Sequence, residues 1–141
     1  MKFNISNQKK VTRFDMTDKN SILICDDEPD IVSLVQKFLQ LDNYKTLTCS
    51  NGKEALKVLE EKYDEIVLIL LDVMMPALSG FEVLRTIKSK DSYKNIKVIL
   101  FTVKSFKEDV EKGKELGADG YVTKPFSGNE LRSYVKEILN N

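Results

Sequence analysis

Short runs of apolar residues alternate along the chain with longer segments in which apolar residues recur every three or four positions. The central runs are continuously apolar, which is typical of strands that are buried on both faces of a parallel sheet. We therefore predict five strands, with the sequences SILIC (21–25), KTLTC (45–49), EIVLILL (65–71), KVILF (97–101) and GYVT (120–123).

The segments with helical periodicity predict five amphipathic helices, one after each strand. Their apolar stripes include, in chain order, Leu34, Leu56, Leu84, Val110 and Val135. Three of the helices also carry start signals. Pro29 lies near the first turn of the first helix, Asn51 can cap the second, and Ser127 precedes the last.

Strict alternation of strands and helices indicates an α/β protein with a parallel sheet that is covered on both faces. We predict a doubly wound, flavodoxin-like three-layer sandwich. Five strands suit the order 2-1-3-4-5 better than the six-stranded order of dinucleotide-binding folds.

Length and charge favour a single domain without a general affinity for polyanions. The chain has 141 residues, of which 42% are hydrophobic, and its 22 basic and 22 acidic residues balance. We assign residues 20–141 to the domain, and residues 1–19, which carry a net charge of +3, to an N-terminal leader or linker. An added strand or a docking arm within the leader is an open alternative.

The cysteine and histidine content limits the cell compartment that we expect and the kinds of site chemistry that the chain can carry out. Cys25 and Cys49 each end an apolar run, where a reduced cysteine behaves as a small hydrophobe. Because the sequence also lacks a transmembrane run and the apolar core of a signal peptide, we expect a cytoplasmic protein. The chain has no histidine, which excludes histidine metal ligands, histidine-activated nucleophiles and phosphorylation on a histidine of its own.

Polar residues follow the predicted strands at their carboxyl ends. Asp26 and Asp27 follow the first strand, and Asp72 follows the third. Thr102 follows the fourth strand and Lys124 the fifth. Since ligand sites of open α/β sheets lie at this edge, we expect three carboxylates, a hydroxyl and an ammonium to converge there.

This set of groups predicts a metal-assisted phosphoryl site. Three close carboxylates require a counter-charge, and Mg²⁺, which prefers oxygen ligands, supplies it. Lys124 and Thr102 suit phosphoryl oxygens, and Asp72, at the end of the central strand, is the candidate nucleophile. Glu28 and Asp30, beyond the strand end, are interpreted as helix-start acids that face solvent.

Four separated motifs, CDDEPDI, LLDVMMPALSGFEVL, FTVKS and GADGYVTKPF, closely resemble the receiver domain of two-component response regulators, the CheY-like family. The resemblance covers residues 21–139. It implies a signalling module that is switched by phosphorylation and is not an enzyme, beyond promoting its own phosphotransfer and a slow autodephosphorylation.

The resemblance also implies a ligand set for Mg²⁺. Asp72 would be the phosphoacceptor. Asp26 and Asp27 would hold Mg²⁺ together with Asp72, and the backbone carbonyl of Met74 would be a further protein ligand.

Three more residues acquire roles from the resemblance alone. Thr102 would be the switch hydroxyl, and Tyr121 the aromatic side chain that changes rotamer with it. Lys124 would contact the phosphate and precede a cis peptide bond to Pro125.

The resemblance also implies the partners of this chain. The phosphoryl donor would be a phosphohistidine on a sensor histidine kinase or a histidine phosphotransfer protein, since this chain has no histidine. Activation would repack the face made by the fourth helix, the fifth strand and the fifth helix, and this face would control an output protein or domain. We expect no direct contact of this chain with nucleic acid or membrane. A homodimer through the same face is an open alternative, and the sequence fits a stand-alone regulator and a part of a longer one equally.

Three positions depart from the usual family pattern. Val103 stands where the family usually has alanine or glycine, and neither Met74 nor Lys104 is an acid or amide that would position water. We therefore hypothesise a long-lived aspartyl phosphate.

Two other functions fit the sequence less well. A haloacid-dehalogenase-like phosphatase would need a second acid two residues after the nucleophile, where Met74 stands. A degenerate receiver used only for binding would lack a site residue, whereas all five strand-end residues are present.

Overall fold

The computed structural model describes residues 20–103 and 107–140. The predicted leader, residues 1–19, lies outside the described residues. In the described part, five β-strands alternate with five α-helices, and a 3₁₀ turn at Asp91–Tyr93 precedes the fourth strand. The elements are β1 (Ser21–Cys25), α1 (Pro29–Leu41), β2 (Lys45–Cys49), α2 (Gly52–Lys62), β3 (Ile66–Asp72), α3 (Gly80–Ser89), β4 (Lys97–Val103), α4 (Lys107–Glu115), β5 (Gly120–Lys124) and α5 (Gly128–Leu139).

The strands form one parallel sheet in the order β2-β1-β3-β4-β5, which confirms the predicted topology 2-1-3-4-5. At the carboxyl edge, Cys25 pairs with Leu71 of the neighbouring strand, and Asp72 pairs with Phe101. This register brings the ends of β1, β3 and β4 to one side of the sheet, where loops can build a site.

Side chains of each strand alternate between two apolar layers. In β3, Leu68 and Leu70 lie in one buried cluster with residues of α1 and α5, whereas Ile69 and Leu71 lie in a second cluster with residues of α2 and α3. The continuous apolar run of β3 is therefore required, because both faces of this strand are covered.

Three strands extend beyond their predicted ends. β3 includes Asp72, β4 continues to Val103, and β5 continues to Lys124. Ladder pairing accounts for the extension, because Asp72 pairs with Phe101 and Val103 pairs with Lys124. Asp72, Thr102 and Lys124, which were predicted to follow these strands, are thus part of them, and the ladder holds their backbone in place.

The predicted helix starts are confirmed. Pro29 is the first residue of α1. Asn51 accepts a hydrogen bond from the backbone N–H of Glu54, and Ser127 forms a capping box with Glu130. A second capping box, in which Ser79 caps α3, was not predicted.

An ion pair ties the end of α1 to α5. Asp42, the residue after α1, accepts two hydrogen bonds from the guanidinium of Arg132, at 3.0 and 2.8 Å. Lys136 lies 3.4 Å from the same carboxylate. The hydrogen bonds from Arg132 lower the pKa of Asp42 below its usual range, and the nearby positive charges outweigh the opposing effect of burial.

Cys25 and Cys49 are buried free thiols on paired positions of β1 and β2, as predicted. The neighbouring Cys49 thiol, together with burial, raises the pKa of Cys25. Such thiols are unreactive and act as core side chains. Within the part of the chain that the structure describes, no helix has both the length and the apolar character needed to cross a bilayer.

Candidate functional site

Asp72 lies at the centre of the carboxyl edge and is 5% exposed. Its Oδ1 accepts a hydrogen bond from the backbone N–H of Met74 at 3.1 Å, which turns the chain sharply after β3. The other carboxylate oxygen, Oδ2, faces the Lys124 ammonium at 3.7 Å. Asp72 therefore has one oxygen fixed by the loop and the other within reach of a cation.

Asp26 and Asp27 directly follow β1 and differ in burial. Asp26 is 1% exposed, and its Oδ1 accepts a hydrogen bond from the backbone N–H of Glu28 at 2.9 Å. Asp27 is exposed. One carboxylate is thus held rigidly in the protein, while its neighbour lies at the mouth of the site.

The three aspartates fit a small divalent cation. Carboxylate oxygens of Asp26, Asp27 and Asp72 lie within 4.8 Å of one another. Two ligands on opposite sides of a Mg²⁺ ion would be about 4.2 Å apart, given ligand distances of about 2.1 Å. The donor set is hard oxygen only, which Mg²⁺ prefers. The acidic cluster can therefore hold a metal ion.

Lys124 joins the carboxylates from the opposite end of the sequence. Its Nζ donates to Asp26 Oδ2 at 2.9 Å and to Glu28 Oε1 at 3.1 Å. The Lys124 side chain is 17% exposed, and its Nζ lies 5.8 Å from the centre of the Phe101 ring. The peptide bond from Lys124 to Pro125 is cis, as the resemblance implied.

Burial and charge shift the pKa of the central groups. Desolvation, reinforced by the charge of Asp26, raises the pKa of Asp72 to about 7, although Lys124 and the Met74 N–H act in the opposite direction. Burial by itself would lower the pKa of Lys124, but its hydrogen bond to Asp26 and the charge of Asp72 raise it overall. Lys124 is therefore charged, and a bound cation would favour the ionised form of Asp72.

Two buried hydroxyls lie beside this cluster on neighbouring strands. Among the described residues, neither Thr102 Oγ1 nor the Tyr121 hydroxyl has a hydrogen-bond partner. Thr102 is 3% exposed and lies near the end of β4, while Tyr121 lies in β5 and packs against the core cluster that contains Leu100. Because a buried unpaired hydroxyl costs free energy, each is suited to a partner that arrives with a ligand or a conformational change.

The start of α3 contacts the loop after β3 and holds it in place. Gly80 donates its backbone N–H to the carbonyl of Val73 at 3.1 Å. A Cβ at Gly80 would collide with the backbone carbonyl of Asp72. The first turn of α3 thus rests directly on the peptide that carries the candidate nucleophile.

The rim of the site is partly apolar. Met74 is 60% exposed and Val103 is 43% exposed. Lys104, which the sequence analysis also singled out, lies outside the described residues. Metal binding by the backbone carbonyl of Met74 stays a prediction.

Glu28 corrects one interpretation from the sequence. It stands at the N-cap of α1 but makes no side-chain cap hydrogen bond, and its carboxylate pairs with Lys124 instead of facing only solvent. Asp30, in the first turn of α1, is exposed as expected. Helical position alone could not reveal that a side chain at the N-cap turns back to the sheet edge.

Comparison with known proteins identifies the family. The family model described as "Response regulator receiver domain" matches residues 22–136. The chain belongs to this family. Its core residues and strand-end residues therefore belong to a receiver domain of the two-component response regulators.

Relatives of this receiver domain include longer regulators. It is 44% identical over 119 residues to the "Alkaline phosphatase synthesis transcriptional regulatory protein PhoP" of Bacillus subtilis, with 84% of this chain and 48% of that protein covered. It is 41% identical over 126 residues to the "Transcriptional regulatory protein ResD" of the same organism, with 89% and 50% covered. The chain spans about half the length of the curated relatives it matches.

Solved structures show the same fold for the receiver domain. The chemotaxis response regulator CheY4 of Vibrio cholerae matches with a TM-score of 0.79 and 28% identity, over 85% of this chain and 98% of that one. The signal receiver domain of a signal transduction histidine kinase from Syntrophus aciditrophicus matches with a TM-score of 0.78 and 35% identity, over 86% and 90%.

Proposed function

We propose that this receiver domain accepts a phosphoryl group on Asp72 and thereby switches between two signalling states. The observation that carries the proposal is the position of Asp72, a buried carboxylate at the end of the central strand, between two further aspartates and the Lys124 ammonium. We assign the unit to residues 20–141, with residues 1–19 as a leader or linker.

Asp72 acts as the nucleophile in the proposed reaction. A carboxylate oxygen forms an O–P bond while the P–N bond of a donor phosphohistidine breaks, and the histidine nitrogen leaves with the bonding electron pair. The donor is a sensor histidine kinase or a histidine phosphotransfer protein, since this chain has no histidine. Lys124, 3.7 Å from Asp72 Oδ2, is within reach of a phosphoryl oxygen after a small movement.

Asp26, Asp27 and Asp72, with the backbone carbonyl of Met74, would hold Mg²⁺ at this edge. When bound, Mg²⁺ supplies positive charge that offsets the negative charge of the carboxylates and of the phosphoryl oxygens. The buried Asp26 carboxylate and its hydrogen bond from Glu28 keep this part of the site in place before any ligand arrives.

Thr102 and Tyr121 form the proposed switch. A phosphoryl oxygen would give the Thr102 hydroxyl the partner that it lacks among the described residues. The movement of Thr102 would open space for the Tyr121 ring and repack the face of α4, β5 and α5, which then controls an output protein or domain. A homodimer through this face is an alternative form of output.

The competing functions receive less support. Met74, at the position where a haloacid-dehalogenase-like phosphatase requires its second acid, presents an exposed thioether. A degenerate receiver would lack part of the site, whereas Asp26, Asp72 and Lys124 form one ion-pair cluster.

The test is incubation of the full chain with acetyl phosphate and Mg²⁺, followed by intact-mass measurement. We expect an adduct of one phosphoryl group that requires Mg²⁺ and is absent from Asp72→Asn. Asp64→Asn, at an exposed position outside the site, is the matched control and should keep the adduct. An unchanged adduct in Asp72→Asn, or no adduct on the wild-type chain, would contradict the proposal.

A further inference from the structure

Lys124 makes a contact that the proposed reaction does not require. Its Nζ lies 3.1 Å from Glu28 Oε1, in addition to the 2.9 Å contact with Asp26. Glu28 stands at the N-cap of α1, yet its side chain caps no backbone N–H of the helix. The carboxylate of Glu28 therefore has Lys124, and not the helix end, as its partner.

In this structure the Lys124 ammonium is hydrogen-bonded to Asp26 and Glu28 and not to Asp72. An ammonium carries three N–H donors, and Lys124 directs two of them to Asp26 and Glu28. The 3.7 Å distance to Asp72 Oδ2 is too long for a hydrogen bond. A phosphoryl group on Asp72 would add negatively charged oxygens near Oδ2, the carboxylate oxygen that Lys124 faces, and these oxygens would then compete with Glu28 for the ammonium.

The other carboxylates have further roles, but Glu28 has none in the proposed site. Asp26 and Asp72 belong to the three-aspartate cluster that can hold a cation. With a cation bound to that cluster, Glu28 is the carboxylate that still competes for the ammonium. Its own negative charge also lies close to where the phosphoryl oxygens would be, so both effects disfavour phosphoryl binding.

We infer that Glu28 is a positioning residue that holds Lys124 away from Asp72 in the unphosphorylated protein and so weakens the binding of a phosphoryl group. The inference rests on the proposed function of Asp72. The direction of the expected change in affinity is specific to this role. Neutralising Glu28 should strengthen the binding of a phosphoryl analogue, whereas loss of an ordinary site residue weakens it.

The expected change in affinity is small because the ion pair of Glu28 and Lys124 is partly exposed to water. The Glu28 side chain is 61% exposed and that of Lys124 17% exposed, so water screens the pair from one side. Exposed and half-exposed ion pairs correspond to affinity changes of about two- to fivefold. We expect Glu28→Gln to lower the dissociation constant of a phosphoryl analogue by this factor.

The experiment measures beryllofluoride (BeF₃⁻) binding to the full chain by isothermal titration calorimetry at saturating Mg²⁺. The variant is Glu28→Gln. The matched control is Asp30→Asn, which removes the same charge from the first turn of the same helix, at an exposed position. Mg²⁺ alone is titrated into each protein, and thermal melts verify that each is folded.

Two results together support the inference. Beryllofluoride should bind Glu28→Gln about two- to fivefold more tightly than wild type, with Asp30→Asn close to wild type. Mg²⁺ alone should bind Glu28→Gln no more tightly than wild type, because removal of a nearby negative charge cannot favour a cation. Equal effects of the two substitutions, or weaker beryllofluoride binding to Glu28→Gln, would overturn it.

Failure of the proposed function would give different binding results. If Asp72 is the acceptor, wild type binds beryllofluoride and Asp72→Asn does not. Binding that persists in Asp72→Asn, or is absent from wild type, overturns the proposed function and this inference with it. Loss of binding in Asp72→Asn, combined with unchanged affinity in Glu28→Gln, overturns only the role of Glu28.

Discussion

The ammonium of Lys124 donates a hydrogen bond to the carboxylate of Asp26 at 2.9 Å, although 98 positions separate the two residues in the chain. Asp26 is 1% exposed and directly follows the strand β1, whereas Lys124 ends the edge strand β5. This pair therefore connects the acidic side of the site with the side proposed to receive phosphate.

Removal of the Lys124 ammonium should destabilise the metal-free protein. Lys124→Met keeps most of the aliphatic stem but leaves the buried Asp26 carboxylate without its cation. We expect a loss of about 1–3 kcal/mol in the free energy of unfolding, less than for a fully enclosed pair. Urea unfolding in chelator measures this loss, and Mg²⁺ should restore part of it. Lys53→Met, at an exposed position of α2, is the control; an equal loss there would contradict the explanation.

Asp72 should make the stability of the metal-free protein depend on pH. Its pKa of about 7 in the folded state exceeds the value of about 3.9 for an aspartate in an unfolded chain, so the folded state holds the proton more tightly. The cost of ionising Asp72 is absent below that lower pKa and complete above the higher one.

Asp72→Asn should therefore become more stable than wild type as the pH rises from about 4 to about 7, by up to about 4 kcal/mol. Urea unfolding in chelator at several pH values measures the difference. A constant difference across this range would show that the pKa of Asp72 is not raised.

Mg²⁺ should stabilise the fold through the acidic cluster. A cation at 100 times its dissociation constant adds about 2.7 kcal/mol to the free energy of unfolding. In chelator, Asp27→Ala should raise the melting temperature, because one of three mutually repelling charges is removed. The same variant should respond less to Mg²⁺, whereas Asp30→Ala should respond as wild type does. Thermal melts without any response to Mg²⁺ in the wild type would count against the site.

Val103 should lengthen the lifetime of the aspartyl phosphate. It follows the candidate switch residue Thr102, and its branched side chain is 43% exposed at the rim. If this side chain hinders the approach of water, Val103→Ala should dephosphorylate several-fold faster after removal of the donor. Intact mass against time measures the rate. Val67→Ala, at a half-buried position of β3, is the matched control and should keep the wild-type rate. An unchanged rate in Val103→Ala would remove the steric argument.

Asp42 should stabilise the packing of α1 on α5 above acidic pH. The pKa of its carboxyl is lowered by Arg132, so its stabilisation is complete above the pKa of the unfolded chain and is lost as the pH falls through the folded value. Asp42→Asn should cost about 1 kcal/mol at neutral pH. The difference in unfolding free energy between variant and wild type, measured by urea unfolding, should begin to narrow as the pH falls below about 4, the usual pKa of an aspartate. Arg132→Lys should also lose stability, because lysine cannot form both hydrogen bonds.

The sheet and the position of the site were predictable from the sequence because they depend on periodic patterns. Continuous apolar runs marked strands that are covered on both faces, and the carboxyl-edge rule then selected Asp26, Asp72 and Lys124. The structure places these three side chains in one cluster.

The details that escaped prediction depend on side-chain direction and on pairing between strands. The capping box of Ser79 lies in a loop whose path no periodicity reveals. Glu28 was assigned to solvent because its place before a helix suggests an ordinary helix-start acid, whereas its partner, Lys124, lies 96 positions further along the chain. Strand ends were placed one or two residues early, since polar residues at the edge hide the continuing ladder.

Gly80 makes the mechanical response of this domain asymmetric. Because its missing side chain lets α3 rest on the carbonyl of Asp72, and its N–H holds the next peptide, a displacement of Asp72 would press on α3 and on the core around Leu84. That core is fully buried and resists small shifts. If Asp72 is phosphorylated as proposed, we expect the resulting motion on the opposite side, where the hydroxyls of Thr102 and Tyr121 lack partners among the described residues.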